Sequence, residues 1–340
     1  MAGHVAYNIR IRHANKSNVN YDVNWSKLDE WGRQFVENNP GSRFHLETDS
    51  KGRFKRMFVG IGCSVQTALK TGINFSGIDG TAFHHIFFRK GVALILDTRD
   101  GNNQILILAF IVCLHENSDN YDYFARQCVT VPGLMEYLNR VKSILYSDRH
   151  KGIPAFEAHV SSFIGNCIVH IIKNCHSWVG KHFRGANNNF AADRIHKIQT
   201  QTTREGFEEA LQEFSRAYPE AATYLRNNVD HSKTYVYAML QLGLTTHGHH
   251  TSNIVEIANM VIKKARKQDP YNFLDWFLLW IAGKIGERQR IGKKLEQDGR
   301  LLTEYAMKIL VKQETLAAYE NLEKVELGND KYQVIHNTNK

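Results

Sequence analysis

INFSGID (73–79), VALILD (92–97) and ILILAFIV (105–112) are the runs that decide the fold. Each has the length and the apolar, β-branched content of a buried strand. Between the last two lies TRDGNNQ (98–104), whose Asp-Gly and Asn-Asn suit a hairpin turn. Three successive strands with tight turns read as an antiparallel meander. A helical stretch follows around Tyr121–Cys128, and then RVKSILYSD (140–148), an apolar run ending in the polar loop SDRHKG (147–152). Strand, helix and strand in that order imply a parallel crossover beside the meander. The fold class is therefore α/β, with a mixed sheet.

Upstream, WSKLDEWGRQFVE (25–37) places Trp25, Leu28, Trp31 and Phe35 at helical spacing, and NNPGSR (38–43) is a turn. Downstream, the pattern is helical from about 188 to 268. FEEALQEF (207–214), PEAATYL (219–225) and Thr251–Lys267 are expected helices, and Phe273–Arg290 is aromatic and then basic. The polar tail, 315–340, is expected to fray. These changes divide the chain into a mixed lead-in (1–70), a first core part (71–179), a helical insertion (180–245), a second core part (246–290) and a basic, then polar, tail (291–340).

Lys and Arg number 43 against 34 Asp and Glu, a net charge of +9 over 340 residues. At roughly 100–200 residues per domain, that length suits two or three structural units. A hydrophobic content of 43% excludes wholesale disorder, and 5 Pro with 24 Gly exclude a fibrous chain. The positive excess suits a polyanionic partner. Five cysteines, an odd number in a long chain, argue against a disulfide framework and for a reducing, intracellular setting. The opening MAGHVAYNIRIRHANK has no apolar core of a signal peptide, and the longest strongly apolar run, Ile105–Leu114, is too short to span a bilayer.

Asp79 ends the first strand and Asp148 the fourth. Carboxylates at strand ends face the crevice where open α/β sheets bind ligands, and two on neighbouring strands suit a hard divalent cation such as Mg²⁺. Asp residues also cap turns after strands. On the expected helix from Thr251, Asn253, Glu256 and Asn259 share one face amid Ile, Val and Ala, a stripe that also fits a solvated surface helix. Cys167 and His170 form a CxxH, either half of a zinc site completed by Cys175, His176 or His182, or a packed Cys with a hydrogen-bonded His. His247, His249 and His250 precede the Glu256 helix and suit either a metal cluster or a partly exposed loop. Arg149 and Lys151 flank Asp148; Lys263, Lys264, Arg266 and Lys267 follow Glu256; Arg288, Arg290, Lys293 and Lys294 form a third cluster. Each suits either a phosphate backbone or a solvated face.

GIDGT (77–81), DGNNQILILAF (100–110) followed by Glu116, SDRHKG (147–152), CIVHIIKN (167–174) and TSNIVEIAN (251–259) stand in that order. With the lead-in NPGSRFHLETDSKGRFKRMFV (39–59), they resemble the catalytic core of Mutator-like element (MULE) transposases over roughly residues 25–290. The resemblance implies a ribonuclease-H-like fold with an all-α insertion before the last catalytic helix. It implies a DDE triad of Asp79, Asp148 and Glu256 holding Mg²⁺ or Mn²⁺ for cleavage and strand transfer of DNA. DNA (transposon ends and target) would be the partner, of a homo-oligomer in the nucleus and not at a membrane. A domesticated, non-cleaving DNA-binding or regulatory descendant is the alternative. The zinc-binding recognition domain and SWIM-type finger usual in full members have no counterpart in the sequence, which has no Cys after Cys175.

Overall fold

The structure is a computed structural model that describes residues 25–71, 73–84, 88, 91–246, 262, 265–319, 322–328 and 331–336. It divides into two compact units: residues 1–100 with 105–281, and residues 101–104 with 282–340. The expected divisions at 70, 179 and 245 fall inside the first unit.

That unit is built on one open, seven-stranded mixed sheet of order β1-β2-β5-β4-β3-β6-β7. Its strands are β1 (Arg43–Thr48), β2 (Phe54–Gly60), β3 (Phe75–Ala82), β4 (Val92–Arg99), β5 (Ile105–Cys113), β6 (Ile144–Ser147) and β7 (Phe163–Asn166). β3, β4 and β5 form the antiparallel meander. The hairpin loop between β4 and β5 turns through Asn103, at φ 59°, a left-handed conformation that Asn tolerates. β6 pairs parallel to β3, and β7 parallel to β6. The sheet also reaches into the lead-in, since β1 and β2 join it through β5.

β4 and β5 are buried along their whole length because both sheet faces are covered. One face packs Ile78, Leu94, Leu96, Leu108 and Leu145 against α2 (Gly62–Lys70), α3 (Ser118–Val129), α4 (Leu134–Leu138) and α5 (Ile153–Glu157), after α1 (Leu28–Asn38) opens the described chain. On the opposite face Phe110 meets Phe273 and Phe277, with ring centroids 6.1 and 5.0 Å away. These belong to the first half of a long helix, Pro270–Gln297.

Helices α6 (Ile168–His182), α7 (Ala192–Gln199), α8 (Arg204–Ala217), α9 (Pro219–Asn228) and α10 (Val236–Gln241) enclose a second core around Ile171, Cys175, Phe207, Leu211 and Tyr235. They form an all-α layer with its own core, which begins at Ile168, ahead of the boundary expected at 180. The Pro270–Gln297 helix, α11, runs past the expected boundary at 290, and the division between units falls at 281/282.

In the second unit, Thr303 caps α12 (Glu304–Tyr319), accepting from the Ala306 N–H and donating to the Gly101 carbonyl. The tail expected to fray instead continues α12 and then forms an antiparallel hairpin, β8 (Leu322–Gly328) and β9 (Lys331–His336). Its overall polarity masks Val325, Tyr332, Val334 and Ile335 on either side of Gly-Asn-Asp. All five cysteines are free thiols. No helix among the described residues is long and apolar enough to cross a membrane.

The edge of the sheet carries a pH-dependent contact. Partial burial would raise the Glu47 carboxyl, but hydrogen bonds from Arg56 (2.7 Å) and Lys55 (2.6 Å) outweigh it and hold the group at about 2 instead of 4.5. A carboxyl lowered in the folded state stabilises above its unfolded value and loses that contribution as pH falls to the folded value. Between pH 4.5 and 2, then, the unfolding free energy measured in urea is expected to fall by an amount that Glu47→Gln removes, about 1–2 kcal/mol after discounting for partial exposure.

Candidate active site

The site forms where the parallel strands end. Ile78, Ser147 and Asn166 are paired across β3, β6 and β7. One residue further along each chain stand Asp79, Asp148 and Cys167, so the three form the next row of the same register. Side chains alternate along a strand. Ile78 and Leu145 face the helices α2–α5, so Asp79 and Asp148 face the other side, toward the helical insertion. Asp79 is not at the end of its strand as expected: β3 runs on to Ala82, paired with β4. It is, however, the first residue beyond the β6 pairing, which opens the space beside it.

Backbone donors fix both carboxylates. Asp79 Oδ1 accepts from the Gly80 N–H at 2.8 Å, and Asp148 Oδ1 accepts from the His150 N–H at 3.0 Å. His170, one turn into α6, completes the group. One ligand atom from each of Asp79, Asp148 and His170 lies within 4.8 Å of the others. Asp79 is buried and the other two are half-buried.

The CxxH is legible in this geometry. Cys167 precedes α6, is buried, and bonds its backbone N–H to the Ser147 carbonyl at 2.8 Å. Its sulfur engages the His170 ring; that hydrogen bond is the main reason the imidazole pKa lies above its ordinary value, burial opposing it and Asp148 adding to it. The other expected zinc ligands are engaged elsewhere. Cys175 sits in the helical core against the Ala221 carbonyl, His176 stacks on Phe190 and bonds Asn188, and His182 bonds the Trp178 carbonyl.

On the opposite face of the same strand ends lies Glu116, to which sequence reasoning gave no role. A Cβ on Gly80 would lie 2.8 Å from its carboxylate, so the glycine makes room for it. The buried Tyr121 hydroxyl donates to Glu116 at 2.7 Å, and His150 Nδ1 is 3.7 Å from the same oxygen. Burial, then the charges of Glu116 and Asp148, push the Tyr121 pKa up, with Asp79 adding to the effect. Tyr121→Phe is expected to cost about 1 kcal/mol by urea denaturation, since Glu116 keeps access to solvent. Deeper in the sheet, Asp97 of β4 is fully buried and neither carboxylate oxygen has a hydrogen-bond partner. Burial raises its pKa well above the usual range; Arg99 opposes this and Asp79 adds to it.

The basic residues divide by engagement. Arg149 donates to the Asn228 carbonyl and the Tyr224 hydroxyl, tying the SDRHKG loop to α9. Arg266 donates to Thr81 Oγ1 and the Ala82 carbonyl, and its own carbonyl accepts from His84, which pins a 3₁₀ turn (Ala265–Lys267) to the end of β3. Lys151 and Lys267 are exposed. Glu256, Lys263, Lys264, the flanking Asn253 and Asn259, and His247, His249 and His250 lie outside the described residues.

Two carboxylates and an imidazole are a donor set suited to a divalent cation. Mg²⁺ and Mn²⁺ fit the oxygens. Cys167 is not among the atoms that converge there. No protein-family model matches the chain, and no curated protein matches it.

Proposed function

We propose that this chain is the catalytic core of a DDE-type, Mutator-like DNA transposase, cutting and joining DNA phosphodiesters on a ribonuclease-H-like fold. The observation that carries the reading is the row formed by Asp79 and Asp148 on adjacent parallel strands, with ligand atoms that can share a cation. The antiparallel meander flanked by parallel strands, followed by an all-α layer, supports the fold the resemblance implies. Glu256 is assigned as the third carboxylate on the resemblance alone.

Divalent cations bound there would supply polarisation of the phosphoryl oxygens and an activated water or 3′-hydroxyl. The chain's own work is positional. Asp79 and Asp148 hold the charge, the Gly80 and His150 N–H groups orient their carboxylates, and Arg149 and Arg266 brace the two loops that border them. Lys151 and Lys267 offer sequence-independent contacts to the phosphate backbone. The same reading makes transposon ends and target DNA the partners, of a homo-oligomer acting in the nucleus.

The test is nicking of supercoiled plasmid by the purified chain in Mg²⁺, in Mn²⁺ and in EDTA, beside DNA binding in EDTA. Metal-dependent nicking supports the reading. Tight DNA binding with no nicking in either metal overturns it in favour of a domesticated, non-cleaving DNA-binding protein.

A further inference from the structure

We infer that His170 is a direct ligand of the divalent cation held by Asp79 and Asp148, and that its nitrogen makes the site prefer Mn²⁺ to Mg²⁺. This rests on the reading of the two aspartates as a metal site and extends it to a residue outside the acidic triad and to the identity of the ion.

Three observations carry it. First, a ring nitrogen of His170 lies within 4.8 Å of a carboxylate oxygen of both Asp79 and Asp148. Ligands at about 2.1 Å from one ion stand about 3.0 Å apart side by side and about 4.2 Å apart on opposite sides, so a group within 4.8 Å is of the size that side-chain rotation closes around an ion. Second, His170 Nδ1 is buried without a hydrogen-bond partner. Such an atom ordinarily finds one, and its lack marks a group whose partner is yet to bind. Third, the Cys167 sulfur engages the ring. Metal-bound histidines are typically held by an outer partner that fixes tautomer and orientation, and Cys167 fills that place. Its own position is fixed by the Ser147 carbonyl, next to Asp148.

The choice of ion follows from donor chemistry. Mg²⁺ takes oxygen ligands and gains little from an imidazole. Mn²⁺ accepts carboxylates as readily, and nitrogen ligation strengthens from there along the first-row series. A site of two carboxylates and one imidazole therefore separates the two ions.

The test uses the whole purified chain, stripped with EDTA and titrated calorimetrically with Mn²⁺ or Mg²⁺. The Mn²⁺ Kd is expected at least about tenfold below that of Mg²⁺, and His170→Ala is expected to raise it about tenfold while moving the Mg²⁺ Kd less than about threefold. Electron spin echo envelope modulation of the Mn²⁺-loaded chain should show a directly bound nitrogen that disappears in His170→Ala and in His170→Asn, the second variant guarding against a folding defect in the first. A wild-type spectrum without bound nitrogen, a nitrogen signal that survives both variants, or an unchanged Mn²⁺/Mg²⁺ ratio overturns the inference. The functional reading fails separately. If the nitrogen signal depends on His170 but no DNA is cut, the ligand stands and the transposase reading falls. If DNA is cut in Mn²⁺ with no nitrogen signal, the reverse holds. If Asp79→Asn binds both ions like wild type, both fall.

Discussion

On the proposed function, Asp79→Asn and Asp148→Asn are each expected to lower metal-dependent DNA nicking by at least about 10³-fold, because each would remove one charged ligand from a centre worth several kcal/mol of transition-state stabilisation and every 1.36 kcal/mol is tenfold. Both changes are close to isosteric. Asparagine keeps the oxygen that accepts from the Gly80 N–H in the first case and from the His150 N–H in the second. Because those backbone hydrogen bonds survive, thermal stability without metal should hold. Two readouts therefore move apart. Activity is expected to collapse while the fold survives, and the stabilisation by saturating Mn²⁺, about 2.7 kcal/mol at a hundred times Kd, is expected to disappear. A variant that keeps full nicking removes the assignment.

The sheet's interior was legible in the sequence because its strands are fully buried. Ile105–Cys113 and Val92–Arg99 read as apolar runs with a turn between them, and the meander follows. The edge strands were not. β1, RFHLET, alternates charged and apolar residues at a half-exposed edge, and β7, FIGN, is too short to show any period. The two aspartates were legible as strand-end carboxylates, but their common row depends on the β3–β6 and β6–β7 registers, which no spacing along the chain encodes. His170 was visible only as the second half of a CxxH, a pattern that suggests zinc. Its place beside the two aspartates depends on the turn from β7 into α6. Glu116 and Asp97 carried no local signal, since what distinguishes them is the Gly80 backbone beside one and complete burial of the other.

Arg56→Met is expected to destabilise this chain more than any surface charge deletion, by about 1.5–3 kcal/mol in urea, the range for losing hydrogen bonds to charged groups at a buried side chain. The Arg56 side chain is 5% exposed. Its Nε donates to Glu47 of β1 at 2.7 Å, and its Nη1 donates to the Asp119 carboxylate at 2.7 Å and to Asn120 Oδ1 at 3.0 Å, both on α3. Its guanidinium carbon lies 4.1 Å from the centre of the Tyr123 ring. One side chain thus joins the sheet edge to the helix layer. Methionine fills much of the same volume but donates nothing. Glu47 keeps Lys55 and the exposed Asp119 turns to water, so the cost comes from the lost tie between the sheet edge and α3 and from the buried Asn120 oxygen, which loses its donor. Arg56→Lys should recover part of the loss, since a single ammonium keeps the charge but cannot span Glu47 and Asp119 together. The contrast is Arg33, whose ion pairs to Glu30 and Glu37 are as short, at 2.7 Å, with side chains 54–59% exposed. Arg33→Ala should lower the urea midpoint far less, and raising the salt should erode that contribution while leaving the Arg56 loss nearly unchanged. A small effect at Arg56, equal to that at Arg33, would mean that the network is solvated and that the sheet edge is held by apolar packing alone.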